Sequence, residues 1–240
     1  IERDSLRIDN AKGSIRFADG RGRASGDMHG TTTLPFSITA SADFDPDSIT
    51  VTGSGMLDRK PVTLGGPIRL TRRSDGWQLA PVSIITPDGR AEVSGAFGDR
   101  SAVHARFDKV SLALLTVAWP VLDVSGRVSG TVDLALVPGS VPTGTASLKL
   151  NSLSRAGIAS ASLPIDVGLN AELSAAGATA RAVIVRGGKV EGRAQAHIGP
   201  VAAGDAPLKD RIFASPIFAQ LRYNGPAQAL WGLSGVEAID

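Results

Sequence analysis

The chain has 240 residues, with 28 Gly, 14 Pro, no Cys, 5% aromatic and 20% charged residues, and a formal net charge of +2. The lack of Cys excludes a disulfide framework, a thiolate zinc site, a thiol nucleophile and an iron–sulfur cluster, and three widely separated histidines (His29, His104, His197) leave little for a histidine metal site. The near-neutral balance lacks the concentrated basic stripe of a nucleic-acid binder, 42% hydrophobic content is too high for disorder, and no apolar run approaches the ~18 residues of a membrane-spanning helix.

In chain order, the dominant pattern is alternation with period two. Phe36, Ile38, Ala40, Ala42 and Phe44 alternate with Ser37, Thr39, Ser41 and Asp43. The pattern changes at Val110, where Val110, Leu114 and Val117 fall at helical spacing before Trp119 and Pro120, predicting a short helix near 110–119. Alternation resumes with Val128, Gly130, Val132, Leu134 and Leu136. It continues through Leu163, Ile165, Val167, Leu169, Ala171 and Leu173, then through Val190, Gly192, Ala194, Ala196 and Ile198. A second short helix is predicted near 226–233, with Pro226 in its first turn and Gly232 as its stop. Successive strand side chains point to opposite faces, so each run has one apolar and one polar face, as in antiparallel sheets with one wet side.

Turn signals separate the runs: Asp19-Gly20, Asp45-Pro46, Gly65-Gly66-Pro67, Asp75-Gly76, Pro87-Asp88-Gly89, Pro138-Gly139, Gly187-Gly188 and Asn224-Gly225. Glycine accepts positive φ without a Cβ clash, so these pairs favour hairpins. The expectation is an all-β antiparallel meander of about a dozen strands. Charge thins from Val110 to Val132, which holds only Asp123 and Arg127, dividing the chain into segments 1–109 and 110–240 that read as repeat units. The start at Ile1 and the strand-like end at Ile239-Asp240 read as a piece of a longer chain.

Catalytic and cofactor motifs fail on spacing. Asp43-Phe-Asp45-Pro-Asp47 begins like a calcium loop, but its sixth and twelfth positions are Ser48 and Ser54 rather than Gly and Glu. The stretch Gly20–Gly26 has no strand–loop–helix unit around it and reads as a glycine-relaxed hairpin, with Arg16, Arg21 and Arg23 as a solvated basic face. Gly232-Leu-Ser234-Gly235 misses the nucleophile-elbow spacing. Trp77, Trp119 and Trp231 read as packing anchors and the histidines as surface residues. The expectation is that the protein is not an enzyme.

Phe107–Leu134, with a short apolar helix before Val-Ser-Gly126-Arg-Val-Ser-Gly130-Thr-Val-Asp-Leu134, resembles a recurring unit of the TamB family, the inner-membrane-anchored part of the translocation and assembly module, related to AsmA-like proteins. A Pro-containing link with Pro138 and Pro142 follows, then the Gly-started strand Gly144–Leu150, which carries Leu148 and Leu150. Gly157–Val167 and Gly187–Ile198 are similar to the family's next elements, and Ser215–Leu221 to the start of another unit. The resemblance covers about 107–240; the link Pro200–Pro216 departs from it.

The resemblance implies an elongated sheet curled into an open hydrophobic groove, a β-taco. It implies a periplasmic rod that is part of an inner-membrane-anchored protein, the anchor lying outside this chain. It implies phospholipid movement toward the outer membrane and partnership with an outer-membrane barrel of the TamA type, with no cofactor beyond bound phospholipid or detergent and no nucleic acid. The expected lining is Phe36, Ile38 and Phe44; Val128, Val132, Leu134 and Leu136; Leu148 and Leu150; Leu163, Ile165, Val167, Leu169 and Leu173; and Val190 and Ile198. The alternative is a chaperone or scaffold whose sheet edge captures strands of outer-membrane proteins.

Overall fold

The computed structural model describes residues 2–3, 6–31, 34–112, 114, 124–138, 140–155, 163–201, 214–227 and 229. The chain is all-β, as its alternation requires, and divides into two compact units, Ile1–Val110 with Leu114–Leu122 and Ser111–Ala113 with Asp123–Asp240.

The first unit holds β1 (Glu2–Arg3), β2 (Leu6–Ala18), β3 (Arg21–Thr31), β4 (Pro35–Asp45), β5 (Ser48–Leu57), β6 (Lys60–Leu64), β7 (Ile68–Arg73), β8 (Gly76–Thr86), β9 (Gly89–Gly98) and β10 (Ser101–Ser111). They pair antiparallel in chain order with one exception. The C-terminal half of β5 pairs with β6, and its N-terminal half with β7. β8 then pairs with both. Gly65-Gly66-Pro67, expected to be a hairpin turn, therefore breaks one strand position into two pieces. A proline without an N–H interrupts the ladder there without reversing the chain.

Two-residue turns join the long hairpins. Asp19 and Gly20 have φ of 52° and 75°, and Gly187 and Gly188 have 56° and 78°. Positive φ at both central residues matches the twist of the flanking strands. Gly20 opens β3 directly, so Gly22 and Gly26 are strand residues rather than parts of a glycine-rich loop. Their lack of a side chain serves close packing. The Phe17 ring lies over Gly22 across the β2–β3 ladder, and the Phe36 ring over Gly30 across β3–β4.

The second unit holds β11 (Val124–Leu136), β12 (Thr143–Arg155), β13 (Ile165–Ser174), β14 (Gly177–Arg186), β15 (Lys189–Ile198) and β16 (Ile217–Tyr223), each antiparallel to the next. Among its described residues the packed core is small. Ile165, Ile184 and Ala229 are buried together, with Leu153, Leu163, Val167 and Tyr223 against them.

The helix expected near 110–119 does not start at Val110. Val110 and Ser111 end β10: the alternation of Val103, Ala105 and Phe107 slips by one residue at Lys109, at φ 53°, and the strand continues to the buried Val110. Leu114 is helical, and the rest of that stretch, with Trp119, lies outside the described residues. In 226–233, Ala227 and Ala229 are helical and the Ala229 N–H donates to the Pro226 carbonyl at 3.0 Å; Trp231 lies outside the described residues.

Candidate functional site

The registers of the second unit align its apolar residues into rows running across all six strands. One row reads Leu134, Gly144, Leu173, Ala178, Ile198, Ile217. The next reads Val132, Ala146, Ala171, Ala180, Ala196, Ala219. A third reads Gly130, Leu148, Leu169, Ala182, Ala194, Leu221, and a fourth Val128, Leu150, Val167, Ile184, Gly192, Tyr223. Within these four rows the only polar side-chain atom is the Tyr223 hydroxyl.

An apolar face of this kind is normally covered by a second layer. Here the first three rows are half-buried from β11 to β15 and exposed on β16. The alanine row floors a concavity of about 250 Å³ walled by Leu134, Leu173 and Ile198. Only the fourth row is packed. Ala229, from the turn begun at Pro226, is fully buried against Ile165 and Ile184. A polar clamp holds that turn. Arg186 Nη2 and Nε donate to Glu191 Oε1 and Oε2 at 2.7 and 2.9 Å. The Tyr223 hydroxyl lies 3.2 Å from both Glu191 Oε2 and the Pro226 carbonyl oxygen, so its one proton is shared between two acceptors. The hydrogen bonds from Arg186 hold the Glu191 carboxyl below the usual carboxylate range against the effect of desolvation.

The first unit has a comparable face on β2–β5. Phe36 stands between Gly30 and Leu57, Ile38 between Met28 and Gly55, and Phe44 between Gly22 and Ile49. Ile38 is 44% exposed, and Ile15 on β2 is 78% exposed. The reverse side of β2–β5 is polar, with Ser14 Oγ 3.2 Å from Ser25 Oγ and Ser41 Oγ 2.9 Å from Thr52 Oγ1. Two of the three arginines read as a solvated basic face have carboxylate partners. Arg21 meets Asp45 at 3.2 Å and Arg23 meets Asp43 at 2.6 Å across β3–β4. Asp45 and Asp43 thus answer Arg21 and Arg23 across one ladder.

Most expected lining residues fall on the apolar faces, with differences that have local causes. Val128, Val132, Leu134, Leu148, Leu150, Val167, Leu169, Leu173 and Ile198 share the face of the second unit. Leu136 lies beyond the last β11–β12 pair. Leu163 precedes β13, and with Ile165 it belongs to the packed cluster rather than to the open part of the face. Val190 is displaced. An irregularity at Glu191 pairs it with Val185, so it leaves the face that holds Gly192 and Ala194 and is 56% exposed.

Sequence reasoning missed β14, whose Ala178, Ala180, Ala182 and Ile184 complete the rows. Alternating alanines against Thr179 and Arg181 were the available signal. Among the described residues no His, Asp or Glu cluster is suited to a metal, and no helix is long and apolar enough to cross a membrane. Compared with family models, curated proteins and solved structures, the chain matches none.

Proposed function

We propose that the apolar face is a conduit for lipid acyl chains. The observation that carries this reading is the row Val132, Ala146, Ala171, Ala180, Ala196, an uninterrupted floor of small apolar side chains left half-buried beside the taller Leu134, Leu173 and Ile198. A methylene leaving water gains about 0.8 kcal/mol, and a face with almost no polar atoms offers no preferred stopping point. Such a face needs no nucleophile, metal or nucleotide, so the role is non-enzymatic. Together with the resemblance of 107–240 to TamB-family units, this supports a segment of a periplasmic bridge. The two units form grooves that carry phospholipid between inner and outer membranes, with a TamA-like barrel as partner and the inner-membrane anchor on another part of the protein.

The test uses a photo-crosslinker at Ala180, on the apolar face, and at Thr179, on the polar face, followed by solvent extraction and mass spectrometry. Lipid adducts at 180 and none at 179 are expected. Equal capture at both positions, or none at either, would sink the proposal. Val132→Asp is expected to abolish capture while leaving the chain folded. Ile165→Asp is unsuitable, because Ile165 is core.

A second reading has its own support. Among the described strands β16 ends the sheet order of its unit, with Ile217, Phe218 and Leu221 each more than half exposed on its two faces. An edge of that kind recruits strands by β-augmentation, which is the chemistry of a chaperone for outer-membrane protein strands. Crosslinks from Phe218 to barrel precursors, without lipid at Ala180, would favour it.

A further inference from the structure

The polar side of the second unit carries a cluster that the acyl-chain reading does not use. Arg193 on β15 stands directly opposite Arg222 on β16. Arg181 on β14 pairs with Gln195, which places it diagonally from Arg193. The three arginines line one concavity of about 410 Å³ together with Gln195 and Gln220. Directly opposed residues have Cα atoms about 5 Å apart and diagonal ones roughly 8 Å, within the reach of arginine side chains toward a common point.

Like charges facing each other across a ladder destabilise it. An ion pair normally relieves such a contact, as Asp43 does for Arg23 on β3. None of these three guanidinium groups has an ion-pair partner among the described residues. The nearest carboxylate in the register, Glu172, lies diagonally from Arg181 on the β13 side, away from the opposed pair. Glu191 is committed to Arg186. Beside the arginines, Gln195 Nε2 donates to Gln220 Oε1 at 2.9 Å, which leaves the Gln220 amide N–H groups as neutral donors.

We propose that Arg181, Arg193 and Arg222 form an oxyanion site for a phosphate group. Planar guanidinium forks match phosphate oxygens in pairs. A carboxylate would neutralise one of the three charges, whereas a phosphate monoester brings nearly two and has enough oxygens for all three forks. The phosphate comes either from the headgroup of an anionic lipid or from a soluble ion, and the recognition chemistry is the same. The site lies on the opposite face from the acyl-chain conduit and does not depend on it.

The experiment titrates the 240-residue chain with inorganic phosphate at constant ionic strength. In parallel it measures co-flotation with phosphatidylcholine vesicles with and without phosphatidic acid. The readout of the second arm is the difference between the two vesicles, so lipid uptake by the apolar face cancels. Phosphate binding weakened about tenfold or more by Arg193→Gln and by Arg222→Gln, but unchanged by Arg7→Gln, whose guanidinium already pairs with Asp9, supports a site for the soluble ion. Enhanced flotation with phosphatidic acid that the same two variants abolish supports the headgroup as the source. Arg193→Gln is also expected to raise the melting temperature in phosphate-free buffer by relieving the opposed charges. Absence of both bindings, binding that is the same in the variants as in the parent, or a fall in that melting temperature would overturn the proposal.

Discussion

At the scale of single residues, the turns show how far local chemistry can be read. Asp19-Gly20 and Gly187-Gly188 are legible because glycine announces positive φ. The β5–β6 turn is not, since Asp58 and Arg59 adopt φ of 47° and 61° with no glycine present. Arginine enters that region at a cost of roughly 1 kcal/mol, paid because the hairpin holds it there. Arg59→Gly is therefore expected to stabilise the first unit by roughly 0.5–1 kcal/mol, measured by denaturant unfolding. The clamp at Glu191 was equally hidden, because Arg186, Glu191 and Tyr223 meet only through the β14–β15 hairpin and the β15–β16 ladder. Its pH behaviour follows from the sign of the shift. The folded-state value lies below the ordinary carboxylate value of 4.5, so the stabilisation is fully present above 4.5 and is lost as pH falls through the lower folded value. The melting temperature of the parent is expected to exceed that of Glu191→Gln at neutral pH, and the gap to close in acid below that range.

At the scale of elements, alternation reveals which residues share a face as long as the register is unbroken. The run Val128–Leu134 is read correctly because β11 pairs with β12 without interruption over that stretch. Val190 is misplaced because a bulge reverses parity and leaves no mark in the residue pattern. β14 escapes notice because alanine is a weak strand former and gives little contrast with its polar neighbours. Glycines within strands show two different demands. Gly130 has φ of 136°, and a Cβ there would overlap the Ser147 carbonyl oxygen on β12. Gly168 on β13 has open space where a Cβ would stand. Gly130→Ala is expected to destabilise the chain by roughly 2–3 kcal/mol, and Gly168→Ala to gain roughly 0.5 kcal/mol from reduced backbone entropy. Thermal unfolding of the two variants side by side checks both.

At the scale of the whole molecule, abundant glycine and scarce aromatics reflect sheets that fill little of the space above their apolar faces. Ile165 is the one large side chain below 2% exposure among the described residues, while Ile15, Phe17 and Ile38 remain well exposed on apolar faces. The all-β class was legible from alternation and turns, but the depth of burial was not, because the same pattern describes a sheet with a second layer over it and one without. A single substitution separates these cases. In a filled core, Ala180→Leu would insert bulk among Ala171, Ala178, Ala182 and Ala196 and cost about 1–3 kcal/mol through overpacking. Over an open floor the larger side chain finds room, improves strand propensity and gains apolar contact with its neighbours. Ala180→Leu is therefore expected to leave the melting temperature unchanged or raise it, while reducing the lipid recovered by extraction, since the new side chain occupies the space assigned to an acyl chain. A loss of stability of the overpacking size would mean that the floor is already covered and that no acyl chain lies on it. Retained stability with undiminished lipid would place the lipid elsewhere on the protein.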